Sequence, residues 1–168
     1  EYYNKALSLD PNYPEAYFAL GEIDMRSAQY SDAVSNYGKA VKLDTANLKY
    51  YYQLGMAYNS LKDTANTIKY LNKALKIDPN YGLAYYGLAM VYSGLGDHQK
   101  TIENYTKAIN AKGTGLMPYF LYTERGLAYL KLNDVNNALK DFDFAIKLNA
   151  NDTDSYLERG KILLSLGK

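Results

Sequence analysis

Tyr51-Tyr52-Gln53-Leu54-Gly55 is the segment from which the architecture can be inferred, because related segments return along the chain. The copies recur about every 34 residues, a spacing typical of helical repeats. The chain is therefore predicted to be a repeat array rather than one domain around a single core. The other copies are Tyr-Phe-Ala-Leu-Gly at Tyr17–Gly21, Tyr-Tyr-Gly-Leu-Ala at Tyr85–Ala89, Tyr-Thr-Glu-Arg-Gly at Tyr122–Gly126 and Tyr-Leu-Glu-Arg-Gly at Tyr156–Gly160.

The apolar residues within each unit indicate helices. Leu54, Tyr58 and Leu61 follow spacings of three and four, which is helical rather than strand periodicity. Each unit is therefore predicted to be two amphipathic helices. Aspartates stand just before the second helices, where a carboxylate accepts hydrogen bonds from free backbone amides and favours the positive helix end. These predicted caps are Asp63, Asp97 and Asp134.

Together, the period, the small residues and the tyrosines resemble the tetratricopeptide repeat family over essentially the whole chain. The resemblance implies an all-α fold, a right-handed α-solenoid of stacked antiparallel helix pairs. The small residue at the end of each motif is explained by sterics, since neighbouring helices approach closely only where a side chain is absent or is a single methyl group. Alanines recur three residues after a large apolar residue, at Ala6, Ala40, Ala74, Ala108 and Ala145.

The repeat boundaries follow from counting outward from the glycines. Three residues, 116–118, are extra and are expected to lengthen one loop between helices. The two ends look like halves of further repeats, so the sequence is expected to be part of a longer array. The predicted array, 1–168, consists of the second helix of a truncated repeat at 1–13, whole repeats at 14–47, 48–81, 82–115 and 119–152, and the first helix of a truncated repeat at 153–168.

The composition limits the classes of partner. The formal net charge is +1, with 19 basic and 18 acidic residues intermixed along the sequence, so no nucleic-acid partner is predicted. No apolar run approaches the roughly 18 residues that a membrane span needs. The chain has no cysteine, which excludes disulfides and thiolate metal sites. The compartment stays open, with the cytoplasm as the default assumption.

The residues that catalysis needs do not occur in recognisable combinations. His98 is the only histidine, no cysteine can pair with it, and no serine has the flanking glycines of a nucleophile elbow. Gly94-Leu95-Gly96 lacks the third glycine and the preceding strand of a nucleotide-binding loop. The sequence therefore predicts no catalytic residue, no metal site and no cofactor.

By resemblance to the family, the first helices line a concave groove, and two rows of side chains face it. The middle of these rows is aromatic and rich in methionine, and its ends are charged, which suits a peptide with apolar anchors. For Tyr52 and Tyr86, packing against a neighbouring first helix remains open as an alternative. The predicted partner-binding residues are Phe18, Glu22, Tyr52, Met56, Tyr86, Met90, Glu124 and Leu127.

The predicted function is that of a noncatalytic protein–protein interaction scaffold that binds a peptide segment of a partner in its concave groove. One alternative makes the chain the targeting arm of a larger multidomain enzyme. Another is self-association, with a homo-oligomer formed through apolar faces expected to be exposed at the truncated ends, such as Leu157, Ile162 and Leu163.

Overall fold

The computed structural model describes residues 1–111 and 118–167, and within these ranges the chain forms ten α-helices and no strand. Leu116 and Met117, predicted to belong to a lengthened loop, lie outside the described residues, whereas Pro118 begins a helix. The helices are α1 Tyr2–Leu9, α2 Pro14–Arg26, α3 Tyr30–Leu43, α4 Leu48–Ser60, α5 Thr64–Ile77, α6 Gly82–Gly94, α7 His98–Asn110, α8 Pro118–Lys131, α9 Val135–Leu148 and α10 Thr153–Ser165.

Aspartate caps begin α5, α7 and α9, which confirms that prediction. One Asp63 oxygen accepts from the backbone amide of Asn66 at 3.0 Å, and the other accepts from the Asn66 side chain at 2.7 Å. Asp134 and Asn137 repeat the arrangement at 3.2 and 2.7 Å. Such caps satisfy amides that have no partner within the helix, so local sequence sets where α5, α7 and α9 begin.

The chain divides into two compact units, which we call unit 1, Glu1–Gly87, and unit 2, Leu88–Lys168. In unit 1, α1 to α5 pack in chain order, each helix against the next. In unit 2, α7 to α10 pack in the same sequential manner. Among the described residues, the main helix contacts within each unit are thus between helices that follow one another in the chain, as expected of a repeat protein.

The core of unit 1 depends on the predicted small residues. A Cβ atom added to Gly21 would lie 2.6 Å from Cε1 of Tyr37, whose side chain is almost completely buried. At the next copy, a Cβ added to Gly55 would lie 3.2 Å from Cγ of Leu71. The glycines thus leave the space that the large residue of the following second helix occupies, which confirms their steric role.

The core of unit 2 is centred on Phe142, which is fully buried with Ala138 and Ile162. A Cβ added to Gly126 would lie 2.8 Å from the Phe142 ring. The sequence-based expectation that Ile162 is exposed was wrong, because its side chain points from α10 into this cluster. Leu157, on the same helix, is 54% exposed.

Candidate functional site

Phe18, the first of the predicted partner-binding residues in chain order, lies mostly inside unit 1. Its ring stacks on Tyr50 with 4.9 Å between centroids and lies 5.4 Å from the ring of Tyr37. Only 7% of its surface is exposed, and the ammonium group of Lys49 lies 4.5 Å from the ring centroid. Phe18 therefore joins α2 to α3 and α4 and offers little surface of its own.

Glu22, one turn further along α2, is partly exposed. Its Oε1 lies 3.8 Å from Nζ of Lys49, the same lysine that covers Phe18. Both side chains of this ion pair remain in contact with water, so the pair contributes little to stability. It instead places one negative and one positive charge on the surface formed by α2 and α4.

Tyr52 is the centre of a cluster of three tyrosines in unit 1, formed with Tyr81 and Tyr86. The Tyr52 and Tyr81 rings meet edge to face with 6.3 Å between their centroids. Burial raises the pKa of Tyr52 to about 12, and the neighbouring phenol groups of Tyr86 and Tyr81 add to the effect. Tyr52 and Tyr86 are both half-buried, so part of each remains accessible while the other part packs on neighbouring helices.

Met56 follows Tyr52 by one helical turn and lies against the middle of α6. A Cβ added to Gly87 would lie 3.4 Å from Sδ of Met56 and 3.0 Å from Cδ1 of Leu71. The absence of a side chain at Gly87 therefore allows Met56 to approach the α6 backbone. Met56 is half-buried, and its flexible thioether forms an apolar surface next to the tyrosine cluster.

In unit 2, Glu124 is a carboxylate in a partly desolvated position on α8. Burial raises its pKa, the nearby charge of Asp154 raises it further, and a long hydrogen bond of 3.5 Å donated by the Tyr105 hydroxyl offsets part of the shift. These surroundings therefore disfavour the isolated negative charge of Glu124. Either protonation of the carboxylate or pairing with a cationic group of a ligand removes this cost.

The other two predicted residues of unit 2 differ in exposure. Met90 on α6 is 37% exposed. Leu127 on α8 is half-buried and packs against the cluster around Phe142. The predicted set thus divides in the structure into residues that are accessible and residues that mainly hold helices together.

Replacing Glu124 with glutamine is expected to raise the free energy of unfolding at neutral pH and to have no such effect in acid. Because the pKa of Glu124 is raised in the folded state, its protonated form stabilises the fold, fully so below the usual glutamate pKa. This contribution is lost as the pH rises through the raised pKa. Urea unfolding measured at a series of pH values tests this. Glu103→Gln, which removes an exposed carboxylate of the same unit, is the control, and an effect independent of pH would contradict the assignment.

One surface that the sequence-based prediction missed lies on the second helices of unit 1. A cleft between α3 and α5 is lined by lysines and tyrosines, including Lys39 and Lys73. The signal was present in the sequence, because lysines recur at the repeat spacing of about 34 residues. The nearly neutral net charge of the chain does not indicate this local basic surface. The recurring lysines are Lys5, Lys39, Lys73 and Lys107.

Within residues 1–111 and 118–167, no group of three or more His, Asp or Glu side chains is arranged to hold a metal ion. Likewise, none of the described helices combines the length and apolarity needed to cross a membrane.

Four family models match the sequence. Three are described as tetratricopeptide repeat and match residues 48–81, 70–103 and 123–168. A fourth, described as TPR repeat, matches residues 1–27. No curated protein sequence matches the chain.

Several solved structures are similar to this chain. The crystal structure of MamA is 34% identical, with 88% of this chain and 85% of MamA covered at a TM-score of 0.78. TTC0263, a thermophilic TPR protein of Thermus thermophilus, is 21% identical over 96% of this chain and 87% of its own, with a TM-score of 0.74. YrrB, described as a TPR protein with an unusual peptide-binding site, is 20% identical over 94% and 80%, with a TM-score of 0.73.

Proposed function

Because this chain belongs to the tetratricopeptide repeat family, we propose that it is a noncatalytic protein-interaction scaffold whose first helices bind a peptide segment of a partner. The family assignment supports the general role. The peptide-binding site ascribed to YrrB supports a peptide as the ligand, although the low identity to YrrB establishes only a common fold. The binding residues are proposed from the chemistry of each unit.

The observation that carries the proposal is the tyrosine cluster of unit 1 with Met56 beside it. Tyrosine rings bury a large area at a small cost in rotamer entropy, and each hydroxyl can bond to a peptide group. Methionine adapts its shape to different apolar side chains. Tyr52, Tyr86 and Met56 therefore form the proposed apolar anchor site, with Glu22 and Lys49 as the neighbouring charges.

Unit 2, taken by itself, offers a different chemistry. The ionised form of Glu124 is disfavoured by burial and by Asp154, so a lysine or arginine of the ligand would compensate it. Met90 offers apolar surface on α6 of the same unit. A ligand segment that contacts unit 2 is therefore proposed to contain at least one basic residue.

The expected affinity is micromolar for a short peptide. Association costs roughly 4 to 15 kcal/mol in lost freedom of movement, and each good anchor returns about 2 kcal/mol. A few anchors therefore give modest rather than tight binding, and a micromolar dissociation constant corresponds to a net binding free energy of about 8 kcal/mol.

Selection from a random displayed peptide library, followed by fluorescence anisotropy with the selected peptides, tests the proposal. Tyr52→Ala/Tyr86→Ala is expected to weaken binding by about tenfold or more, since it removes two anchors. Tyr2→Ala, which alters a tyrosine of unit 1 that is 87% exposed, should leave the affinity unchanged. Circular dichroism establishes that each variant is folded. Equal affinities for the folded anchor variant and the original chain would refute the proposed site.

The methyl group of Met56 provides a second readout that does not depend on the stability of a variant. With methyl-labelled methionine, the chain has only four such signals, and Met56→Leu identifies the relevant one. A bound peptide is expected to shift the Met56 signal in proportion to occupancy. Binding that leaves this signal unmoved would place the ligand elsewhere.

A further inference from the structure

The cleft between α3 and α5 of unit 1 is distinct from the predicted groove positions, which lie on first helices. It has a volume of about 470 Å³. One wall comes from α3 with Val34 and Lys39, and the other comes from α5 with Tyr70 and Lys73. Tyr58 of α4 also lines the cleft. The cleft thus combines apolar surface with lysines from two separate repeats.

The charge on the two walls is unbalanced. The only acidic residue of α3 is Asp32, in its first turn, and α5 contains none. Within the described ranges, no carboxylate oxygen lies within 4.0 Å of the ammonium group of any lysine on these two helices. The lysines are Lys39 and Lys42 on α3 and Lys69, Lys73 and Lys76 on α5.

Neighbouring tyrosines hold three of these lysines in place, among them Lys69, whose Nζ lies 5.3 Å from the ring centroid of Tyr70. Nζ of Lys39 lies 5.0 Å from the ring centroid of Tyr17, and Nζ of Lys73 lies 5.9 Å from that of Tyr51 and 5.3 Å from that of Tyr70. Cation–π contacts orient an ammonium group without neutralising its charge. They explain why the side chains adopt these positions, and they leave the positive potential of the cleft intact for a ligand.

We propose that this cleft is a second interaction site and that it binds an acidic peptide segment of a partner protein. The carboxylates of that segment pair with Lys39, Lys42 and Lys73. An apolar side chain between them lies against Val34 and Tyr58. Charge complementarity of this kind speeds association and selects partners, and the apolar contact adds affinity that salt does not screen.

A peptide fits the cleft better than a nucleic acid does. Proteins that hold single-stranded nucleic acids offer free aromatic faces on which bases stack. In this cleft, the rings of Tyr58 and Tyr70 stack on each other, with 5.4 Å between centroids and an angle of 4° between planes. Their facing surfaces are therefore already occupied. The basic surface is also confined to lysines, which lack the planar fork with which arginine binds phosphate.

The first experiment uses a fluorescein-labelled peptide in which glutamates flank one phenylalanine, titrated with the whole chain. Lys39→Glu/Lys73→Glu is expected to weaken its binding by about tenfold or more, since repulsion replaces attraction at two contacts. Lys140→Glu/Lys147→Glu on α9 makes the same change in net charge outside the cleft and should change the affinity by less than about twofold. Equal losses in both variants would overturn the proposal, because they would indicate nonspecific attraction.

A second variant blocks the cleft without changing its charge. Gly38 lines the cleft on α3, and a Cβ added there meets no atom within 4 Å. Gly38→Leu should therefore fold, fill part of the cleft and weaken binding of the acidic peptide by about tenfold. Gly160→Leu on α10, where an added Cβ is equally unobstructed, should leave the affinity for this peptide unchanged. If folded Gly38→Leu binds the acidic peptide with unchanged affinity, the cleft is not the binding site and the proposal is overturned.

Two further outcomes would also overturn the proposal. In one, an unlabelled oligonucleotide displaces the labelled peptide at a lower concentration than the unlabelled peptide does. In the other, sedimentation shows that the original chain is an oligomer and that Lys39→Glu/Lys73→Glu is a monomer. A second copy of the chain would then occupy the cleft. Tyr52→Ala/Tyr86→Ala is expected to bind the acidic peptide with unchanged affinity. The proposed groove site and the proposed cleft site can therefore be refuted independently of each other.

Discussion

Phe142→Ala is expected to lower the free energy of unfolding of unit 2 by about 3 to 5 kcal/mol. The side chain is fully buried and packs with Ala138 and Ile162, and the ring lies close above the Gly126 backbone. Removing it loses the transfer free energy of the ring and leaves a cavity that these rigid helices can fill only partly. The change should also loosen Leu127, which packs against the same cluster.

Urea unfolding followed by far-UV circular dichroism measures this effect. Phe144→Ala is the matched control, since the same substitution is made two residues away in α9 at a side chain that is 44% exposed. Phe144 contacts Tyr122 with 4.7 Å between ring centroids, so a loss of about 1 kcal/mol is expected there. Similar losses in the two variants would show that unit 2 does not depend on the Phe142 cluster.

Arg125→Met is expected to lower the free energy of unfolding by about 3 kcal/mol or more. Nε and Nη2 of Arg125 donate to the two carboxylate oxygens of Asp141 at 2.8 and 2.7 Å, and Nη1 donates to Thr106 at 2.9 Å. The side chains of both charged residues are largely buried, with 15% and 7% exposed. Removing the arginine would leave the Asp141 carboxylate desolvated and without its cationic partner.

The double variant Arg125→Met/Asp141→Leu separates this penalty from the net value of the ion pair. Replacing both partners with apolar residues removes the uncompensated charge, so the double variant should be more stable than Arg125→Met alone. Chemical unfolding of the four species of this cycle gives the coupling directly. Additive losses would mean that the pair does not act as a unit, contrary to the bidentate geometry.

Local signals in the sequence predicted much of the architecture. The helical spacing of apolar residues and the aspartates before α5, α7 and α9 depend on interactions within a few residues, which a sequence displays directly. The recurring glycines also identified the close approaches at Gly21 and Gly126. These positions repeat because each unit meets its neighbour in a similar way.

The candidate site was less predictable, because family resemblance assigns a position to a face but does not determine what covers it. Phe18 occupies a predicted groove position, yet Tyr37 and Tyr50 bury it. Ile162 was expected at an exposed face and instead packs on Phe142. In both cases the outcome depends on the volume and direction of side chains from other helices, which no local spacing records.

The amino-acid order alone therefore specified a repeat array of capped helix pairs, since hydrogen bonding and amphipathic periodicity act over a few residues. Tertiary packing decided exposure and charge at the candidate surfaces. Packing leaves Tyr52 half-buried beside Tyr86, and it brings Lys39 and Lys73 to one cleft in a chain whose net charge is only +1. Residues about 34 positions apart share a ligand surface only when their repeats stack, because electrostatic and apolar contacts depend on distance in space rather than along the chain.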